Sequence, residues 1–249
     1  MKKNKNDIEI ICVMCIRNES KNLPGCLKHL EKYVDKIVVY DDESTDNSVE
    51  ILKNNKKVAK IITEKQKGKH KWRERHNREV VLRAAKEIST VKIPYVLCVD
   101  PDERFEINFL KNLRKIVSKN FGKAINIHFR ELWDNIKQYR IDGIWGLKNK
   151  TLLFPLSDVM TFDYENEYHI PWFYREMVDI IELDYNLYHL NMVKESDRFK
   201  RRDLYNKLDP QKKYQPIGYD YLVDVSEMAL ERVSFKRRYN YRTVPKYYK

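Results

Sequence analysis

The chain has 249 residues, 42% hydrophobic and 35% charged, with a formal net charge of +12. That length supports a packed core, and abundant aromatics with few Gly or Pro exclude a disordered or low-complexity chain. The positive balance points to anionic partners: a nucleotide, nucleic acid, an acidic glycan or a membrane face.

Met1-Lys2-Lys3-Asn4-Lys5-Asn6-Asp7 has the basic character of a signal-peptide start. The apolar segment behind it, 8–16, is interrupted by Glu9, followed by Arg17-Asn18-Glu19, and offers no cleavage site. No run approaches the ~20 apolar residues of a membrane span. The expectation is a soluble, cytoplasmic protein.

Residues 9–16 read as a buried strand. Cys12 and Cys15 within it point to opposite faces, which suits neither a zinc site nor a redox pair; with Cys26 and Cys98 they read as free thiols. Leu23, Leu27, Leu30 and Val34 recur at helical spacing. A second strand, 36–40, ends at Asp41-Asp42-Glu43. Ser44-Thr45-Asp46-Asn47 then offers N-cap residues for a helix carrying Val49 and Leu52. Residues 58–63 form a third strand. A basic loop through Gly68 leads into a long helix with Trp72, Val80, Val81, Ala84, Ala85 and Ile88 on its apolar side.

Residues 95–99 are a continuous apolar run, the mark of a strand buried on both faces. The run stops at Asp100-Pro101-Asp102-Glu103. Pro101 cannot donate to a sheet ladder, so the acids sit on a turn at the strand's C-terminal tip. Three carboxylates within four residues repel one another unless a cation lies between them, and a divalent ion with oxygen ligands is the natural candidate. The competing reading is a solvated turn in which Glu103 caps the next helix. That helix shows Leu110, Leu113, Ile116 and Val117, and 124–129 is a further strand.

Strand and helix alternating this regularly predict an α/β fold with a doubly wound parallel sheet, whose ligands bind at the carboxyl ends of the strands. Arg17-Asn18-Glu19, Asp41-Asp42-Glu43 and the 100–103 acids all fall at such ends. Beyond about residue 130 the pattern loosens. A strand at 151–154, an alternating run over 184–190 with His189 on an apolar face, and a basic helix over 193–208 are legible. Arg237, Arg238, Arg242, Lys246 and Lys249 alternate with tyrosines in the tail, which reads either as a peripheral contact for an anionic surface or as a C-terminus packed on the core.

Cys15-Ile16-Arg17-Asn18-Glu19, then Asp41-Asp42-Glu43-Ser44-Thr45-Asp46, then Asp100-Pro101-Asp102-Glu103 resemble, in order and spacing, the nucleotide-binding half of family 2 glycosyltransferases with the GT-A fold. His189-Leu190-Asn191-Met192 and Arg201-Arg202-Asp203-Leu204-Tyr205 are similar to some bacterial-type members. The resemblance implies a Rossmann-like, mostly parallel sheet flanked by helices. Residues 1–130 would be its nucleotide-sugar-binding half, and 131–249 a less regular acceptor-binding half of the same compact domain. It implies inverting transfer from a nucleotide sugar, usually a UDP-sugar, to an acceptor hydroxyl in glycan biosynthesis. Cys15 and Arg17 would flank the base, and Asp42 would meet uracil. Asn77 with Lys71 or Arg73 would close the nucleotide pocket, and Asp100 would face the ribose. Asp102 would hold Mn²⁺ or Mg²⁺, with Glu103 sharing the metal and His189 as a further ligand; a satisfied core histidine is the alternative for His189.

The sequence departs from the family in the acceptor half, at Glu165-Asn166-Glu167-Tyr168-His169-Ile170. Glu167 is the first candidate for the catalytic base, because aromatics around a carboxylate tune it toward base chemistry near neutral pH. His169 is the second candidate and Asp134 an outside one. A sugar-nucleotide nucleotidyltransferase shares such a fold, but needs a glycine-rich loop after the first strand that is absent here. A basic nucleic-acid-binding protein is disfavoured because acids cluster at the strand ends. An inactive relative kept as an interaction module is the remaining rival.

Overall fold

The computed structural model describes residues 8–68, 70–71, 73–157, 172 and 178–249. Its centre is an eight-stranded sheet. β1 (Ile10–Ile16) lies between β2 (Lys36–Asp41) and β4 (Tyr95–Cys98), with β3 (Val58–Thr63) outside β2, and these four are parallel. Every residue of β1 except Cys15 is buried, and β4 is buried throughout, as their continuous apolar runs require. The α-helices α1 (Leu23–Leu30), α2 (Ser48–Lys53) and α3 (Glu74–Glu87) connect them, and α3 packs across β1 and β2.

The second half departs from a purely parallel winding. After β5 (Glu103–Phe105) and α4 (Ile107–Lys119) come β6 (Ala124–Glu131), β7 (Gln138–Arg140), α5 (Gly143–Leu147) and β8 (Asn149–Pro155). β8 inserts antiparallel between β4 and β6. β9 (Ile180–His189) then runs parallel to β6 and antiparallel to β5. The antiparallel strand places its first residues, Asn149 and Lys150, at the same end of the sheet as the acidic turn. α6 (Glu195–Leu208) follows, and β10 (Leu230–Arg232) pairs with β7 in a small separate ribbon.

The tail packs on the core. Tyr239, Val244 and Tyr248 are buried in one cluster with Leu132, Tyr188 and Leu190. Arg237 pairs with Asp184 and Glu106. Among the described residues no helix is long and apolar enough to cross a membrane.

Candidate active site

The polar loops at the strand tips are tied to one another. Asn18 takes a left-handed φ of 55°, a region Asn tolerates better than most residues. Its backbone N–H donates to Ser44 Oγ at 2.9 Å, and its Oδ1 accepts from Thr45 N–H at 2.7 Å. Glu19 N–H donates to Ser48 Oγ at 2.8 Å, and Ser20 N–H to Asp46 Oδ2 at 3.0 Å. Three of the four residues expected to cap α2, Ser44, Thr45 and Asp46, therefore fasten the Arg17 loop. Only Asp46 also serves the helix start, accepting from Ser48 N–H at 3.0 Å.

The fastened loops, α3, the acidic turn and α6 enclose a cleft of 740 Å³. Cys15, Arg17, Asn77, Asp100, Asp102 and His189, six of the candidates, line it together. Asn77 is wholly buried, and neither atom of its amide has a hydrogen-bond partner among the described residues. A buried amide left unmade is costly, so this one is suited to a ligand that both donates and accepts. Arg78, pairing with Glu74 at 2.6 Å, stacks 4.6 Å from the Trp172 ring in the same wall.

Other candidates lie elsewhere. Asp42 is fully buried beside the cleft; its Oδ2 lies 2.9 Å from His70 Nε2 and its Oδ1 accepts from Gln66 at 3.4 Å. Arg73 donates to the Tyr40 hydroxyl at 3.1 Å, and Lys71 meets Gln66 through its backbone. Neither lines the cleft. Asp134 pairs with Arg198 at 3.0 Å and does not line the cleft. Glu167 and His169 lie outside the described residues.

The acidic turn divides its carboxylates between two partners. Lys150 Nζ donates to Asp100 Oδ2 at 2.9 Å and to Glu103 Oε1, while Glu103 Oε2 accepts from the Asp100 N–H. Glu103 is thus turned toward Lys150, and burial pushes its carboxyl up to about 7 although Lys150 opposes this. Burial would lower Lys150, yet Asp100 and Glu103 raise it above the usual lysine value.

Asp102 faces His189. The β5–β9 and β6–β9 registers set His189 between Glu103 and Glu131, so the three side chains leave one face of the sheet. His189 Nε2 lies 3.0 Å from Asp102 Oδ2 and Nδ1 lies 2.5 Å from Glu131 Oε2. Burial works against a charge on the ring, but Asp102 and Glu131 outweigh it and lift His189 to about 10. Asp102, despite burial, is held down to about 2 by His189. Nearby Glu19 is pushed up to about 8 by burial and then by the charge of Asp102.

This donor set fits a divalent cation once the imidazole gives up the Nε2 proton that faces Asp102, since a metal-bound nitrogen must be unprotonated. A carboxylate oxygen and an imidazole nitrogen lie side by side, and a second carboxylate orients the ring through its other nitrogen. Among the described residues no group of three or more His, Cys, Asp or Glu is arranged to hold a metal alone. Such a pair suits ions whose remaining ligands are substrate phosphates and water.

Sequence reasoning passed over Glu131, Lys148, Lys150 and Arg78. Lys150 immediately precedes the expected 151–154 strand, and a lysine just ahead of an apolar run was the available signal. Glu131 had none, because its partner is 58 residues away.

A family model described as glycosyl transferase family 2 matches residues 11–154. No curated protein matches the chain in sequence. Among solved structures, TarS of S. aureus is similar at a TM-score of 0.50 and 15% identity, covering 88% of this chain and 46% of that one. The 1–349 portion of S. aureus TarS, in complex with UDP-GlcNAc, gives a TM-score of 0.39 and 19% identity over 50% of this chain and 35% of that chain. Glucosyl-3-phosphoglycerate synthase from Mycobacterium tuberculosis, in complex with Mn²⁺, UDP and glucosyl-3-phosphoglycerate, gives 0.34 and 17% over 51% and 45%. The matched regions thus cover less than half the length of each of these structures. The TarS match over 88% of this chain shows the expected fold, the α/β sheet of the GT-A glycosyltransferases.

Proposed function

Because the chain belongs to glycosyl transferase family 2, we propose that it moves a sugar from a nucleotide sugar, taken to be a UDP-sugar, to an acceptor hydroxyl with inversion. The observation that supports this best is the line Asp102–His189–Glu131 at a cleft also lined by Arg17 and the unpartnered Asn77 amide. Asp102 and His189 are the residues that would hold Mn²⁺ or Mg²⁺, and an ion there supplies Lewis-acid charge for the departing diphosphate. Glu131 fixes the imidazole ring through Nδ1 and so aims Nε2 at Asp102. Lys150 bridges Asp100 and Glu103 and offsets part of the like-charge repulsion in the acidic turn.

On the nucleotide side, Arg17, Cys15 and Asn77 contact the nucleoside and Asp100 faces the ribose. Asp42, held beside the cleft by His70 and Gln66, sets the preference for the base. An inverting transfer needs a base opposite the leaving diphosphate, and Glu167 remains its first candidate, with His169 second. The test is a hydrolysis screen of UDP-, GDP- and dTDP-sugars with Mn²⁺, which needs no acceptor. The expected result is slow hydrolysis of a UDP-sugar that stops in EDTA. Equal rates in EDTA would remove the metal from the proposal, and no hydrolysis of any donor would remove the activity. In the same screen Asp42→Ala should blur the choice of nucleotide. Glu167→Gln should leave donor binding within a few-fold while abolishing transfer.

A further inference from the structure

A second cleft, of 350 Å³, adjoins the first and shares Asp100, His189, Arg201, Tyr205 and Tyr219 with it. Its volume lies in the range of small-molecule sites, roughly 300–1,000 Å³. Most of its remaining wall comes from the second half of the chain, including Glu131, Lys148, Lys150 and Tyr221, with Glu103 added from the acidic turn.

The carboxylates of this cleft are already answered by cations. Lys150 bridges Asp100 and Glu103, while Lys148 lies 2.9 Å from Glu131, which also holds His189. Arg201 differs. Its Nε donates to the Tyr205 hydroxyl at 3.2 Å, but its Nη1 is buried and has no hydrogen-bond partner among the described residues. A guanidinium is donor-only and planar, so what fits against it is an acceptor oxygen, best a charged one in a carboxylate or phosphate. Lys148, with one ion pair and the Trp145 ring 4.1 Å beneath it, keeps ammonium hydrogens to offer.

The rest of the lining suits a sugar ring. Tyr205 and Tyr219 stand 5.2 Å apart at 43°, and Tyr221 lies against Trp145 at 5.5 Å. Aromatic faces beside polar groups give the apolar C–H side of a pyranose a surface to cover. Resting on the reading of the first cleft as the donor site, we propose that the second cleft is the acceptor subsite and receives a sugar bearing a phosphate or carboxylate, with Arg201 and Lys148 as its anion contacts.

Because Arg201 lines both clefts, the rival occupant is the donor diphosphate, and the test must separate the two. The full chain is titrated calorimetrically with glucose, galactose and mannose, their 6-phosphates and uronates, and inorganic phosphate, each with and without saturating UDP and Mn²⁺. At least one charged sugar should bind with UDP present, at least ten-fold more tightly than its neutral parent. The phosphate and uronate arms show which anion is preferred. Arg201→Gln and Lys148→Met should each weaken that binding at least ten-fold, with Arg201→Lys in between because it keeps the charge and loses the fork. Should a variant prove unfolded by circular dichroism, the wild-type comparison of charged and neutral sugars still decides. Neutral sugars binding as tightly as charged ones, displacement of the charged sugar by UDP, or inorganic phosphate binding as well as the sugar phosphate would each overturn the proposal. Binding is read without turnover, so a chain that passes this titration and hydrolyses no donor would refute the donor reading alone.

Discussion

His189 carries carboxylates on both ring nitrogens, and that pairing would govern the cation site proposed at this turn. Outer carboxylates of this kind orient a ligand histidine and raise its basicity, and losing one typically costs about 10–100-fold in metal affinity. Glu131→Gln is therefore expected to weaken Mn²⁺ binding by about that factor, read by calorimetry. Unchanged affinity would show that Glu131 serves only the fold. His29 makes a contrasting prediction. It is buried in α1, and burial, followed by the charge of Arg104, lowers it from 6.5 to about 3 against a hydrogen bond to the Phe105 backbone. Its folded value lies below its unfolded one, so its contribution is complete above 6.5 and is lost as pH falls toward 3. Urea midpoints should drop between pH 7 and 5 in the wild type and drop less in His29→Met. An equal drop would assign the acid sensitivity to other groups.

Among elements, the loop after β2 shows how motif letters acquire structural work. Asp41 to Asn47 read as a nucleotide contact followed by a helix cap, but Asp46 holds both Ser20 N–H and the start of α2. Burial opposes its charge, and the Ser20 and Ser48 hydrogen bonds bring its carboxyl down to about 2. Asp46→Ala should cost about 0.5–2 kcal/mol, the range for a lost helix cap, and should raise the donor KM by freeing the Arg17 loop. A loss of stability with the KM unchanged would separate the cap from the site. The three-residue β5 escaped sequence reading because its length carries no periodicity. Glu103 and Arg104 leave opposite faces of it, one toward Lys150 and the other into the core.

For the molecule as a whole, the tail is what the acidic turn rests on. Arg104 is fully buried and, among the described residues, has no carboxylate partner; its guanidinium donates to the carbonyls of Pro101 at 2.8 Å, Glu103 at 2.7 Å and Thr243 at 2.9 Å. Gly25 makes room for this, since a Cβ there would stand 1.9 Å from the Thr243 carbonyl oxygen. Truncation after Phe235 removes Tyr239, Val244 and Tyr248 from the core and takes a carbonyl from Arg104. Each large apolar side chain lost is worth about 1.5–3 kcal/mol, against a typical total of about 5–15 kcal/mol. Donor hydrolysis and transfer should therefore fall together with the melting temperature. Hydrolysis that survives while transfer is lost would instead give the tail a role in acceptor binding.

The buried strands and the polar groups at their carboxyl ends are legible in the chain's own residues. Continuous apolar runs such as 95–99 and turn residues such as Pro101 act locally, so their reading needs no knowledge of distant partners. What those groups do to one another follows from how the strands and helices pack. A strand inserted antiparallel brings Lys150 to Asp100, a register across three strands sets His189 against Glu131, and α6 turns Arg201 into both clefts. These pairings depend on strand order and on which face each side chain leaves, and neither is encoded in the spacing of residues along one segment.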